Sequence, residues 1–284
     1  MNKYKIQFHA HTGSDPSDCI FHSDKDLIDR AAHHNYDVLA ITCHDKVVHT
    51  KELEKYAAEK GILLIPGIEK TVDGNHIVIV NASMEIESVK TFDDLEIYKQ
   101  ENPNSLIFAP HPYHPLPIRV VSLGKQLDRN IHLFDAIEWS CFHTKHFKFN
   151  AKAQKKAAEF GLPMIATGDN HALKYLDYTY SIVSAPSKTV NDIINAVKRG
   201  NIEMKTRPMN FILLAGLTLR LLVSEYIKKL YKFIFRIKTQ KQAHKLEPHK
   251  YLDHTYSIIR ATSKTVNDII NAVKRGEFRS KQSQ

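Results

Sequence analysis

Along the first 205 residues, short apolar runs alternate with longer segments in which apolar residues recur at helical spacing. The runs are rich in β-branched residues, which favours strands. Seven of them cover residues 4–8, 37–42, 62–65, 77–80, 106–109, 135–140 and 163–166. Strands that alternate with helices are typical of parallel strands joined by helical crossovers. The pattern therefore predicts an α/β fold.

Polar residues that can bind divalent metal ions lie beside six of these runs. The nine residues are His9, His11, Asp15, His44, Glu69, His76, His111, Asp169 and His171. Five of the six groups directly follow their run, whereas His76 precedes one. In barrels of parallel strands, the reacting groups lie at the carboxyl ends of the strands. We therefore expect the groups to converge on one mouth.

The ligand types narrow the choice of metal. Imidazole and carboxylate together suit Zn, Mn or Fe better than the all-oxygen sites of Mg or Ca. His9 and His11 are two positions apart at a strand end, so both side chains point to the same side and can bind one ion. One such pair is weak evidence, because the chain has 17 histidines. Six groups at six strand ends predict a multi-metal hydrolase.

Five motifs resemble those of the PHP family, the polymerase and histidinol phosphatase superfamily of metal-dependent phosphoesterases. They read HAHTGSD (9–15), TCHD (42–45), GIE (67–69), HP (111–112) and GDNH (168–171). The resemblance extends from residue 3 to about residue 200 and implies a distorted seven-stranded (β/α) barrel, similar to a TIM barrel. Cys43 departs from the family pattern, because it stands where an acidic residue usually precedes the histidine.

The resemblance also implies roles for the nine residues. Three ions would sit in a row, the first held by His9, His11, Glu69 and Asp169, the second by Glu69, His76 and His111, and the third by Asp15, His44 and His171. Glu69 would bridge the first two ions. Asp45 and Asp169 are the candidate proton acceptors or water orienters. Arg119 and His143 are candidate substrate contacts, since each follows a strand-like run and arginine suits phosphate.

The expected function is hydrolysis of a phosphate ester, either a monoester or a diester, by a hydroxide bound to two or three divalent ions. The substrate would be a small phosphorylated molecule, a nucleotide or the end of an oligonucleotide. Two alternatives stay open. One is a non-catalytic metal-binding PHP module that acts through its basic tail, and the other is a metal amidohydrolase.

Charge and cysteine content refine this picture. Residues 1–200 hold 23 Lys and Arg against 25 Asp and Glu, a net charge of −2, so the net +9 of the chain comes from residues 201–284, which hold 17 against 6. The charge does not favour a catalytic groove for nucleic acid. The three cysteines show no CxxC spacing and no signal peptide precedes the first run, which predicts a cytoplasmic protein.

The chain divides into three predicted parts. Residues 1–205 form the barrel, and residues 206–245 form a basic amphipathic helical extension that could contact an anionic membrane, nucleic acid or the barrel itself. Residues 246–284 contain a partial duplicate of 174–200, with 23 of 27 positions identical. Each copy predicts a strand followed by a helix. We expect the first copy to complete the barrel, and the second to pack on the surface or pair with another subunit.

Overall fold

The computed structural model describes residues 1–113, 122–146, 149–210 and 216, and the backbone of 255–259 and 278–282. The chain splits into two compact units, Met1–Ser224 and Glu225–Gln284. The predicted extension beyond residue 210 and most of the second copy lie outside the described residues. No helix among the described residues is long and apolar enough to cross a membrane.

Within residues 1–210, the described part contains nine strands and six α-helices. The strands are β1 (Asn2–Gln7), β2 (Val38–Ile41), β3 (Leu63–Val72), β4 (Asn75–Val80), β5 (Leu106–Ala109), β6 (Ala136–Trp139), β7 (Met164–Ala166), β8 (Thr179–Ala185) and β9 (Ile202–Thr206). The helices are α1 (Asp24–His33), α2 (Lys51–Glu59), α3 (Phe92–Glu101), α4 (Lys125–Arg129), α5 (Ala151–Phe160) and α6 (Val190–Lys198). The 3₁₀ turns are Met84–Ser88, Ile131–Leu133 and Leu173–Tyr175.

Four of the helices begin at a hydroxyl residue that the sequence places directly before them. The side chains of Ser23, Thr50, Thr91 and Thr189 each accept a hydrogen bond from a backbone N–H in the first turn of α1, α2, α3 and α6, respectively. Such a cap satisfies one of the amides that a helix leaves without an internal partner. The helix predicted in the first copy is therefore confirmed, and it is capped by Thr189.

The nine strands form one mixed sheet in the order β7-β6-β5-β4-β3-β2-β1-β8-β9. Parallel pairing holds for β1–β2, β2–β3, β5–β6 and β6–β7, whereas β3–β4, β4–β5, β1–β8 and β8–β9 are antiparallel. The sheet curves into a nearly closed barrel, which confirms the predicted α/β fold with a distorted, TIM-like barrel. The antiparallel pairs depart from the expected parallel arrangement.

The hairpin between β3 and β4 accounts for the main departure. Only Asp73 and Gly74 separate the paired residues Val72 and Asn75, and both have positive φ, 45° and 75°. An Asp-Gly pair of this kind forms a tight hairpin turn, while a parallel pair would need a long crossover. Because β4 runs against its neighbours, its first residues lie at the mouth where the other strands end. His76 therefore reaches that mouth although it lies at the start of its strand.

The hydrophobic core follows the twofold alternation of the strands. One buried cluster draws residues from each of β1 to β8 and from α6, so it fills the barrel interior: Ile6, Val38, Ile65, Val78, Phe108, Ala136, Ile165, Val183 and Ile193 are among its members. Residues of the opposite strand faces, such as Leu39 and Ile68, belong to two other clusters with the outer helices. The barrel is thus packed inside and outside.

The seam between β7 and β8 is joined by a side chain. The hydroxyl of Ser181 donates to the carbonyl oxygen of Ala166 and accepts from its backbone N–H, both at 2.9 Å. Among the described strands, β7 has a backbone ladder only with β6. Ser181 therefore supplies the partner that an adjacent strand would otherwise give to Ala166.

The second copy repeats the strand pairing of the first. Its strand β10 (Thr255–Ile259) pairs antiparallel with β11 (Phe278–Gln282), and Thr255 lies opposite Gln282. In the first copy Thr179 lies opposite Thr206. Both residues of this pair are offset by 76 from those of the second copy, so the two registers are the same. The predicted strand is confirmed in each copy, and the strand of the first copy lies in the barrel beside β1.

We expect the Ser181→Ala variant to lower the free energy of unfolding by about 1–3 kcal/mol, because it leaves two buried backbone groups of Ala166 without a partner. Denaturant unfolding measures the change. Ser184→Ala, on the less buried face of the same strand, is the matched control and should change stability by less than about 0.5 kcal/mol. Equal effects of the two substitutions would show that Ser181 does not join the seam.

Candidate metal centre

The barrel brings all nine predicted metal-binding side chains into one connected group. His9 and His11 follow β1, His44 follows β2, and Asp169 and His171 follow β7, while Glu69 and His76 lie on the hairpin. Each of the nine has a nitrogen or oxygen within 3.5 Å of another member. The predicted convergence on one mouth is therefore what the structure shows.

Glu69 lies at the middle of this group. Its side chain is 1% exposed, and its two oxygens face different histidines. Oε1 lies 2.9 Å from His76 Nδ1 and 3.1 Å from His111 Nε2. Oε2 lies 3.1 Å from His44 Nε2 and 3.3 Å from the Nε2 atoms of His9 and His11. One carboxylate thus separates two sets of imidazole nitrogens.

The spacing around His9 and His11 fits a bound ion better than hydrogen bonds. Their Nε2 atoms are buried and have no hydrogen-bond partner among the described residues. Asp169 Oδ1 lies 3.5 Å from the first and 3.3 Å from the second. Ligands arranged tetrahedrally at about 2.1 Å from an ion are about 3.3–3.4 Å apart. The Nε2 atoms of His9 and His11 lie at about this separation from Glu69 Oε2 and from Asp169 Oδ1, 3.3–3.5 Å.

Among the described residues, three groups of side chains have ligand atoms within 4.8 Å of one another: His9, Glu69 and His111; His9, His11 and Asp169; and His11, His44 and Glu69. The trio predicted for a third ion is arranged differently. Asp15 Oδ2 lies 2.9 Å from the Nδ1 atoms of both His11 and His44, and His171 Nε2 lies 2.9 Å from Asp18. Asp15 thus contacts the side of each imidazole that faces away from Glu69.

The backbone is held in left-handed conformations at two of these strand ends. His111 has φ 29° and Asp169 has φ 44°, values that side-chain-bearing residues rarely adopt. Beside Asp169, the Asn170 side chain lies against Gly168, where a Cβ would come within 1.9 Å of its amide nitrogen. Only glycine leaves room for this turn. The strained backbone aims His111 and Asp169 inward.

Comparison with known proteins agrees with the fold. Residues 147–202 match the family model described as PHP-associated. A two-domain protein from Bacteroides vulgatus that contains a predicted PHP-like metal-dependent phosphoesterase superposes with a TM-score of 0.58 at 19% identity, over 72% of this chain and 65% of that chain.

The predicted resemblance to the PHP superfamily is therefore confirmed.

Two further structures have a similar fold. PsfC from Pseudomonas syringae gives a TM-score of 0.52 at 16% identity, over 81% of this chain and 99% of that chain. A lesion-specific endonuclease from Pyrococcus furiosus gives 0.50 at 15% identity, over 72% and 58%. The chain spans less than two thirds of the Bacteroides and Pyrococcus proteins. No curated protein matches the sequence.

Two predicted residues, Asp45 and His143, contact none of the nine side chains among the described residues, and a third lies outside the described residues. The Asp45 carboxylate bonds to the N–H and hydroxyl of Thr71 and to Lys70 Nζ, at 2.8–2.9 Å, and among the described residues it contacts none of the nine. His143 packs against Trp139 with ring centroids 5.7 Å apart. Arg119 lies outside the described residues. The roles of these residues remain predictions.

Two carboxylates at the centre were not predicted. Asp18 contacts His171, and Glu138 on β6 contacts His9 Nδ1 at 2.8 Å. Glu138 is fully buried in a run that is otherwise mostly apolar. A charged residue inside a buried strand needs a partner. The position of Glu138 within this run was therefore the feature of the sequence that could have revealed it. Cys43 is buried in the outer core, with its thiol 3.5 Å from the Thr12 hydroxyl.

Charge at the centre is balanced between carboxylates and imidazoles. Burial alone would raise the pKa values of Glu69 and Asp169, but the surrounding histidines hold both well below their usual range. Burial alone would lower the pKa of His9, but Glu69, Asp169 and Glu138 outweigh it and raise the pKa to about 10. Without metal, His9 is therefore protonated at neutral pH.

In protein stripped of metal by a chelator, we expect the free energy of unfolding to fall by about 3–5 kcal/mol as the pH rises from 7 to 10. The folded pKa of His9, about 10, lies above its ordinary value of 6.5. The stabilisation is complete below pH 6.5 and disappears as the proton leaves. Denaturant unfolding at several pH values measures this slope.

The His9→Asn variant should reduce the slope without removing it, because the pKa values of His11, His44 and His111 are raised as well. His132→Asn, with a side chain 57% exposed on the surface, should retain the full slope. A wild-type stability that stays constant between pH 7 and 10 would contradict the charge balance described for the centre.

Proposed function

We propose that the chain is a metal-dependent phosphoester hydrolase in which two divalent ions share Glu69. The observation that supports this proposal is the position of the Glu69 carboxylate between two sets of imidazole nitrogens. A carboxylate that bridges two ions directs one oxygen toward each of them. The two oxygens of Glu69 likewise face different sets of histidines. In the PHP-type fold this site lies at the mouth of the barrel.

His9, His11, Glu69 and Asp169 would hold one ion, and Glu69, His76 and His111 the other. Ions held there would act as Lewis acids toward a phosphoryl oxygen and lower the pKa of bound water. The mixed nitrogen and oxygen ligands suit Zn, Mn or Fe. Asp15, His44 and His171 remain the candidates for a third ion.

Side chains of the protein would accept the proton and support the site. Asp169 lies within 3.5 Å of His9, His11 and His171, so it is the better placed of the two predicted proton acceptors. Asp45 would instead hold the turn after β2 through Thr71 and Lys70. Because residues 1–200 carry a net charge of −2, the ions and their histidines would supply the positive potential that binds phosphate.

The substrate class we propose is a small phosphate ester, including nucleotides and oligonucleotide ends. The similar structures include a protein that contains a predicted metal-dependent phosphoesterase and a lesion-specific endonuclease, which favours phosphorus–oxygen bond cleavage over amide hydrolysis. A pair of ions can stabilise the attacking and leaving oxygens in the cleavage of a monoester and of a diester alike. The leaving group must therefore be found by assay.

Elemental analysis and phosphate release, measured on one preparation, test the proposal. The esters are sugar phosphates, nucleotides, amino-alcohol phosphates and 5′-phosphorylated oligonucleotides, each with added Mn or Zn. We expect two to three ions per chain and turnover on one class. Bound metal without release from any ester would favour a non-catalytic binding module, and release of ammonia from amides would favour an amidohydrolase.

Replacing the bridging carboxylate should abolish turnover. We expect Glu69→Gln to reduce kcat by more than about a hundredfold, since even residues that only orient metal ligands cost 10- to 100-fold when they are lost. His111→Gln should have a similar effect. Glu203→Gln, on the exposed strand β9, is the matched control and should leave kcat unchanged. Full activity of Glu69→Gln would disprove the bridged site.

Deleting residues 241–284 should leave turnover intact, because β8 and β9 of the first copy already complete the barrel beside β1. The measurement is kcat and metal content of the shortened chain against the full chain. A loss of both would mean that the second copy is required for the fold of the first unit.

A further inference from the structure

Glu138 is a buried carboxylate that the proposed function leaves unassigned. It lies in β6, is fully buried, and extends to the ends of three other strands. Its Oε1 lies 2.8 Å from His9 Nδ1 and accepts a hydrogen bond from the Thr167 hydroxyl, and its Oε2 accepts from the backbone N–H of His111. One side chain therefore contacts two candidate metal ligands from opposite parts of the barrel.

The hydrogen bonds of Glu138 determine which nitrogen of His9 is free. An ionised carboxylate can only accept hydrogen bonds, so the Nδ1 atom of His9 must carry the proton and donate it. In the neutral ring, Nε2 then keeps its lone pair. This Nε2 is the atom that lies 3.3 Å from Glu69 and 3.5 Å from Asp169, with no hydrogen-bond partner among the described residues.

The other oxygen holds the backbone of His111. This residue has φ 29°, a strained value, and its N–H bond to Glu138 contributes to holding that conformation. With the backbone so fixed, His111 Nε2 lies 3.1 Å from Glu69 Oε1. Glu138 therefore acts on the two sides of Glu69 at once.

We propose that Glu138 is the positioning residue that prepares His9 and His111 to bind metal. The inference rests on the proposed function, because it concerns the same metal centre. Within this chain, Asp15 makes the same kind of contact with the Nδ1 atoms of His11 and His44. For His9 and His11, Glu69 and Asp169 face the Nε2 atoms, while Glu138 and Asp15 contact the Nδ1 atoms. A partner on the far nitrogen fixes the tautomer and orientation of a metal-binding histidine.

The Glu138→Gln variant tests this role with almost no change of shape. A glutamine amide has one accepting oxygen and one donating nitrogen, whereas the site presents donors to both positions. If the amide nitrogen takes the place of Oε2, it faces the backbone N–H of His111, which is also a donor. If it takes the place of Oε1, His9 can accept from it only by moving its own proton to Nε2. We expect metal affinity, measured by competition with a chromogenic chelator, to fall 10- to 100-fold.

Thr167→Val is the matched control. It removes the third hydrogen bond to the same carboxylate and leaves those to His9 and His111, so metal affinity should stay within about threefold of wild type. The melting temperature of each metal-free variant is recorded in parallel. A purely structural role would lower the melting temperature of Glu138→Gln and leave metal affinity unchanged, and that outcome would overturn the proposal.

A measurement on the unaltered chain applies even if Glu138→Gln does not fold. The protein is labelled with ¹⁵N-histidine and loaded with ¹¹³Cd, and the coupling between metal and ring nitrogen is read by NMR. We expect coupling to Nε2 of His9 and a retained proton on Nδ1. Coupling to Nδ1 would overturn the proposal.

The two proposals fail in different ways. If the wild-type chain binds no metal, the metal centre itself is wrong and the role of Glu138 falls with it. If the wild type binds metal and folded Glu138→Gln binds it equally well, the centre stands and only the role of Glu138 is wrong.

Discussion

Burying a carboxylate costs a large amount of free energy unless opposite charge surrounds it. Glu69 meets this cost with nitrogens from five histidines within 3.3 Å. The five rings come from the ends of β1, β2 and β5 and from the start of β4. Their positions depend on the closure of the barrel, because no single element supplies more than two of them. The fold and the charge balance at the mouth therefore depend on each other.

The antiparallel strand β4 also helps to surround Glu69 with histidines. In a purely parallel barrel, a residue that opens a strand would lie at the far end from the site. The tight turn at Asp73 and Gly74 reverses β4, so His76 returns to within 2.9 Å of Glu69, seven positions earlier in the chain. A hairpin thus adds an imidazole to the mouth without another helical crossover.

The sequence allowed the strands β1 to β8 to be predicted from their apolar runs, and all nine members of the central group from short motifs beside those runs. It did not reveal the reversal of β4, although Asp73-Gly74 is a hairpin signal. Glu138 belongs to no motif, and its role depends on two strand ends that are distant in sequence. The contacts of Asp45 could not be predicted from the sequence either, because they depend on the backbone after His44, which turns with φ 51° and directs the side chain to Thr71.

The seam beside β7 has a consequence for how ions reach the centre. The nine side chains are mostly buried, so an ion must enter through some local opening of the structure. On this side of β7, the Ser181 hydroxyl and two backbone hydrogen bonds between Asn170 and the residues after β1, His9 and His11, stand in place of a strand ladder. A junction with few backbone bonds separates at lower cost than a full ladder. Because the loop after β7 carries Asp169 and His171, transient parting of this junction would uncover two ligands at once. The strength of the junction would then affect the rate of metal loading, independently of the affinity of the finished centre.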